Sequence, residues 1–192
     1  MGMESWLGIP VGLALSTAAG LRIFVPLLLT GLAGRYGYLP LAEGMSWLGS
    51  DAALLAFATA TVLEIGAYYV PWLDNLLDTL ATPAAVAAGV IATAAVTPDL
   101  PPLLRWTLAI VAGGGVAGMV QAGTALLRLK SSAFTAGAGN PALATGELMG
   151  SLALSVLALL IPVLAVTVAV VLLIVLGWRL AVTRRRRRAS SV

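Results

Sequence analysis

The chain is 192 residues long, 60% hydrophobic and only 10% charged, with a mean hydropathy of +1.01. A soluble domain of this size carries roughly a quarter charged residues, so this composition cannot cover a water-facing surface and points to an integral membrane protein. Cys and His are absent, which excludes disulfides, thiolate metal sites, and the commonest general base and zinc ligand.

The N-terminal residues Met1 to Trp6 contain Glu4 and no basic residue, so the flank of a signal peptide is missing and the first apolar stretch is expected to stay as a helix. That stretch runs from Ile9 to Leu32 and reads as one span. Residues Ala33 to Ser50 form a polar, glycine-rich loop with Tyr36, Tyr38 and Trp47, residue types that favour the headgroup level. Ser50 and Asp51 supply a cap for a second helix, expected to end near Val70.

After Pro71 the pattern is less regular. Trp72 to Ala81 is apolar but contains Asp74, Asn75 and Asp78, and Thr82 with Pro83 supplies a cap and a first-turn proline. The stretch Ala84 to Val96 would rise only about 20 Å against roughly 30 Å of hydrocarbon. Two readings stay open: one tilted helix over Trp72–Val96 kinked at Pro83, or two short helices that meet near Thr82.

Thr97 to Pro102 reads TPDLPP and is a turn. A helix is predicted over Leu103–Leu129, with Gly113, Gly114, Gly115, Gly118 and Gly123. Gly114 and Gly118 have the small-xxx-small spacing of close helix contacts, which makes residues 103–129 the candidate face for a homo-oligomer. Lys130 to Gly139 is predicted as a polar loop. Asn140 and Pro141 open the next helix, and from Ala142 to Leu180 the chain is almost wholly apolar. If helical throughout, that stretch would rise about 58 Å, so it divides into two helices at Pro162.

The expected fold is therefore all-α: a polytopic membrane bundle of about six transmembrane helices. It forms a single domain over residues 1–183, followed by a basic tail over 184–192. The run Arg184 to Arg188 holds five of the eleven basic residues and reads as a cytoplasmic anchor on anionic lipid rather than a nucleic-acid contact. With six spans both termini fall in the cytoplasm of a bacterial inner membrane, Arg128, Lys130, Asp74 and Asp78 lie at the inner side, and Arg35 and Arg105 lie outside. Arg22 and Gln121 each follow a small-Gly pair, and Glu64 and Glu147 follow similar Thr and small residues. These likenesses suggest inverted three-helix repeats over 8–98 and 103–183.

Charges inside apolar helices are the candidate site residues, because they are costly there unless paired, protonated or facing a polar cavity. Glu64 lies about 13 residues past its cap and is the candidate proton- or cation-coupling group, with Tyr68 four residues on to orient it. Arg22 sits near the middle of its span and needs a partner, for which Glu64, Asp74 and Asp78 are the candidates. Asp74 and Asp78 share a helix face beside Asn75 and suit a hard divalent cation, or else a solvated turn. Glu147, Gln121 and Asn140 complete the set. The segments GLALSTAAGLRIFVPLL, VLEIGAYYVPWLDNLLDTLATPAA and LKSSAFTAGAGNP resemble the bacterial membrane family known as domain of unknown function 4126, over roughly residues 8 to 180. The resemblance implies a small polytopic fold, transfers no mechanism, and singles out Arg22, Glu64, Asp74, Asp78, Asn140, Pro141 and Glu147. The leading expectation is a small transporter or channel-like permease for an ion or small charged solute. The alternatives are a membrane enzyme acting on a lipid or polyprenyl phosphate through a metal at Asp74 and Asp78, and a non-catalytic scaffold.

Overall fold

The computed structural model describes residues 3–67, 71–135 and 137–189; the side chains of residues 3–6, 71–79, 176 and 179–189 also lie outside the described set. Seven helices and no strand are present among the described residues: α1 Met3–Leu21, α2 Phe24–Arg35, α3 Asp51–Ala67, α4 Pro71–Ala95, α5 Pro102–Thr135, α6 Asn140–Leu160 and α7 Pro162–Ala189. A short 3-10 turn over Ser46–Gly49 precedes α3, and Ala109–Gly114 within α5 is wound as a π-helix. α5 and α6 are long and apolar enough to cross a membrane.

Proline and cap chemistry explain several boundaries. Ser50 Oγ accepts the Ala53 N–H at 3.2 Å and starts α3 as expected. Pro141 lies in the first turn of α6, with Gly139 rather than Asn140 at the cap position. α6 stops at Ile161, the residue before Pro162, which leaves the helical region at φ −140° and ψ 75°. The first apolar stretch is not one span, however. Pro26 has no N–H to give the Arg22 carbonyl and its ring crowds that carbonyl, and the chain breaks at Arg22 and Ile23.

The break lies here and not at Thr82 and Pro83. α4 runs unbroken through Pro83, so the single-helix reading of residues 72–96 holds and the cap expected at Thr82 is absent. α5 also extends past Leu129 to Thr135, so most of the loop expected over Lys130–Gly139 is helix.

Contacts along α4 set the direction of each element. A Cβ built on Gly8 would strike the Val96 carbonyl, and one on Gly12 would lie 3.1 Å from Thr93. Ser16 Oγ donates to the Gly89 carbonyl at 2.9 Å. α1 therefore starts where α4 ends and runs antiparallel to it. The Ala42 N–H donates to the Ala95 carbonyl at 2.8 Å, so soon after α2 the chain is back at that same end. α1 and α2 are two arms of a hairpin whose tip, Arg22 and Ile23, lies about 20 Å along the bundle.

The other helices follow from this. α3 starts at the Arg35–Asp51 ion pair and reaches the tip with Glu64. α6 runs up from the tip, with Ala144 beside Arg22 and Ser151 bonded to the Ala18 carbonyl at 2.9 Å. α7 returns, packing Leu172 and Leu173 against Ala18, Leu21, Val120 and Leu154. α1 thus begins at one end of the bundle and α7 runs toward the other. Among the described residues, 8–98 hold four helices and 103–183 hold three.

α1 is the central element. It touches α4, α5, α6 and α7, and Ala14, Leu15, Ser16, Thr17, Ala18 and Ala19 are fully buried. Small residues permit this crowding. The Gly89 and Gly113 backbones meet so closely that a Cβ on Gly89 would stand 2.6 Å from both the Gly113 carbonyl and the Ala117 Cβ. Gly114 and Gly118 face Val86 and Val90 of α4, so these glycines are engaged by contacts within the chain. The outside is apolar, with Leu55, Val62, Leu103, Val111, Val163 and Ile174 all exposed. Gly89→Ala is expected to destabilise the protein by about 1–3 kcal/mol through overpacking. Gly115→Ala, whose Cβ meets nothing within 4 Å, should be neutral or gain about 0.5–1 kcal/mol from helix propensity. Thermal unfolding in detergent separates the two.

Candidate functional site

A helix break inside a bundle leaves backbone N–H groups without partners, and these must be satisfied locally. The Glu64 carboxylate, brought across by α3, accepts the Ile23 N–H at 3.0 Å through Oε1 and the Phe24 N–H at 3.3 Å through Oε2. It supplies acceptors for two of the first N–H groups of α2, and its negative charge sits at the positive end of that helix. Glu64 is buried and lies within electrostatic reach of Arg22 and Arg128.

Arg22, at the tip itself, is the largest fully buried side chain among the described residues. Its Nη2 donates to the Ala144 carbonyl at 2.6 Å and stands 3.7 Å from Glu147 Oε2. Arg128 reaches the same carboxylate from α5, with Nε donating to Oε1 at 3.2 Å and Nη2 donating to Oε2. Two guanidinium groups from different helices thus converge on Glu147, one in the two-pronged geometry that guanidinium and carboxylate favour. Relative exposure is 2% for Arg22, 3% for Arg128, 7% for Glu64 and 9% for Glu147. If all four are ionised, their charges cancel.

Residues 9–182 match the family described as Domain of unknown function (DUF4126). The chain belongs to this family. No curated protein and no solved structure matches it. In this DUF4126 chain the matched region contains every residue of the cluster.

Of the residues expected from the sequence, Arg22, Glu64 and Glu147 come together. Gln121 is buried on α5, on the face that also presents Thr124 and Arg128. Asn140 stands apart, its Nδ2 donating to Ser132 Oγ at 3.0 Å across the turn between α5 and α6. Tyr68 lies outside the described residues, as do the side chains of Asp74, Asn75 and Asp78, whose backbone forms the first turns of α4. Among the described residues no group of three acidic side chains is placed to hold a metal ion.

The partner that Arg22 meets is Glu147, which was not among its expected candidates. Arg128 was missed altogether, because next to Lys130 at an expected helix end it reads as an inner-side anchor. Its signal was the spacing: Gln121, Thr124 and Arg128 recur at i, i+3 and i+7 and mark one face of a longer helix. A surface pocket lined by Gly34, Arg35, Leu39, Pro40, Leu41 and Ser46 lies at the other end of α2 and shares no residue with the cluster.

Glu64→Gln keeps one acceptor and is expected to cost about 1 kcal/mol, as for a weakened helix cap. Glu64→Leu leaves two buried N–H groups unsatisfied and is expected to cost about 2–5 kcal/mol. Hydrogen exchange at the Ile23 and Phe24 amides should accelerate in that order. Unchanged exchange at both amides in Glu64→Leu would show that the carboxylate does not hold the break.

Proposed function

We propose that this protein is a small polytopic permease of the bacterial inner membrane that moves an ion or small charged solute along the hairpin tip. The observation that carries the reading is the convergence of Arg22, Arg128 and Glu147 at a helix break inside a bundle whose outer surface is apolar. Charges held inside such a bundle are expensive unless they serve a polar path. Helix breaks are the usual means of lining such a path with backbone and side-chain polar groups. At 12 residues α2 rises about 18 Å, too short to cross roughly 30 Å of hydrocarbon. The α1–α2 hairpin therefore acts as a re-entrant element in this reading, with its charged tip held inside the membrane.

The exposed apolar side chains supply the lipid-facing surface. The basic run Arg184 to Arg188 sets the end of α7 in the cytoplasm, against anionic lipid. The start of α1 and the segment over residues 36–50 then face the outside, with the turn between α5 and α6 inside. Because the chain has no Cys, single cysteines report this directly. Glu43→Cys should react with a membrane-impermeant maleimide on whole cells, and Ala138→Cys only after permeabilisation. The reverse pattern would overturn the orientation.

Transport itself is tested in proteoliposomes supplied with labelled lactate, glutamate, phosphate, sodium or ammonium. At least one should enter faster than in protein-free vesicles, and Arg128→Gln should lower that flux by about tenfold or more, the equivalent of losing at least 1.4 kcal/mol of stabilisation in the path. Equal flux in wild type and variant would remove the cluster from the path. No flux of any solute in wild type would overturn the permease reading.

A further inference from the structure

The four buried charges do not play equal parts. Glu64 is bonded to backbone N–H groups that no mobile ion could satisfy without reaching the same atoms from inside the hairpin. Glu147 accepts two hydrogen bonds from the Arg128 guanidinium and pairs with the Arg22 guanidinium at 3.7 Å, and guanidinium groups are the side chains best suited to hold a carboxylate. The Glu147 carboxylate therefore fills the position that a small carboxylate ligand would occupy. Glu147 is also the most exposed of the four, at 9%, and lies within two turns of the start of α6.

We propose that the Arg22–Glu147–Arg128 cluster is a site for a monovalent carboxylate anion, in which Glu147 is the resident occupant and leaves by taking up a proton. The exchange is balanced in charge. Ionised Glu147 and its two arginines become protonated Glu147, the same arginines and one bound carboxylate, with one proton and one anion taken in together. With the four buried charges cancelling, an anion added without the proton would leave one uncompensated negative charge in a buried cluster, which is the expensive outcome. A dianion would need two protons and Glu147 accepts one, so monovalent ligands are favoured.

The groups facing Glu147 from the packed elements are Arg22 at the hairpin tip after α1 and Arg128 on α5, with Glu64 of α3 beyond the tip. The stretch of α7 from Pro162 to Trp178 contains no ionisable residue, and the side chains of Asp74 and Asp78 on α4 lie outside the described residues. A cation is the poorer ligand, because Glu64 and Glu147 already accept from two donors each.

The identity of the moving solute rests on the permease reading, whereas the binding site does not, and the test keeps them apart. Purified full-length protein in detergent is titrated with lactate, and separately with sulfate, at about pH 6 to 8, where neither probe titrates. Proton uptake is followed in weakly buffered solution with a pH indicator. Wild type should bind lactate saturably with about one proton taken up per anion, and where that stoichiometry holds its affinity should fall about tenfold for each unit rise in pH. Sulfate should bind at least about tenfold more weakly, a difference of 1.4 kcal/mol. Glu147→Gln should bind lactate with no proton uptake and no pH dependence.

Absent lactate binding, binding without proton uptake, or uptake that persists in folded Glu147→Gln would each overturn the proposal. Should that variant fail to fold, the pH slope of the wild type decides, and a flat slope overturns it. Proton-linked binding without flux in proteoliposomes would sink the permease reading and leave this site standing. Flux without proton-linked binding would do the opposite.

Discussion

The bond between the Glu64 carboxylate and the Ile23 and Phe24 N–H groups is the constraint on which the rest of the architecture depends. Pro26 favours the break at Arg22, since the carbonyl that its ring crowds has no donor to receive. A break in a water-poor interior survives only if its orphaned donors find acceptors. α3 supplies them from a separate helix, and in doing so it fixes its own depth and rotation against α2. Without this contact the α1–α2 hairpin would have a tip with unsatisfied donors, and α3 would have little to hold it, since it otherwise packs mainly on α2 and the short turn before it.

Once the tip is held at that depth, Arg22 has nowhere to go but inward. Its guanidinium then recruits the Ala144 carbonyl and Glu147 from α6, and Glu147 in turn recruits Arg128 from α5. Four helices are therefore tied together by charges that are each buried and each compensated. Removing one partner of such a set leaves a buried charge behind, which is the expensive outcome. The close glycine and alanine contacts of α1, α4 and α5 serve the same arrangement, because they bring the backbones near enough for side chains of moderate length to meet at the tip.

Much of this was legible in the residues. The all-helical fold, the cap at Ser50, the helix start at Asn140 and Pro141, and the division at Pro162 follow from local rules that act within a few residues. Arg22, Glu64 and Glu147 stood out because a charge in an apolar run demands a partner. What could not be read was the pairing, since Arg22 and Glu147 are far apart in the chain and only the hairpin brings them together. The hairpin was hidden because two prolines, Pro26 and Pro83, offer similar breaks and local sequence does not say which one has acceptors waiting. At Pro26 the Glu64 carboxylate was available across the bundle, whereas α4 at Pro83 continues as a helix.

The same reasoning explains why Arg128 was read as an anchor. Positive charge near a helix end usually marks the cytoplasmic side, and Lys130 beside it does lie exposed. The two side chains point about 200° apart on a helix that continues to Thr135, so one faces outward and the other toward Glu147. A charge run at a helix end is thus two different objects, depending on whether the helix stops there. When it continues, one residue is carried back into the interior, and the interior must already contain its counter-charge.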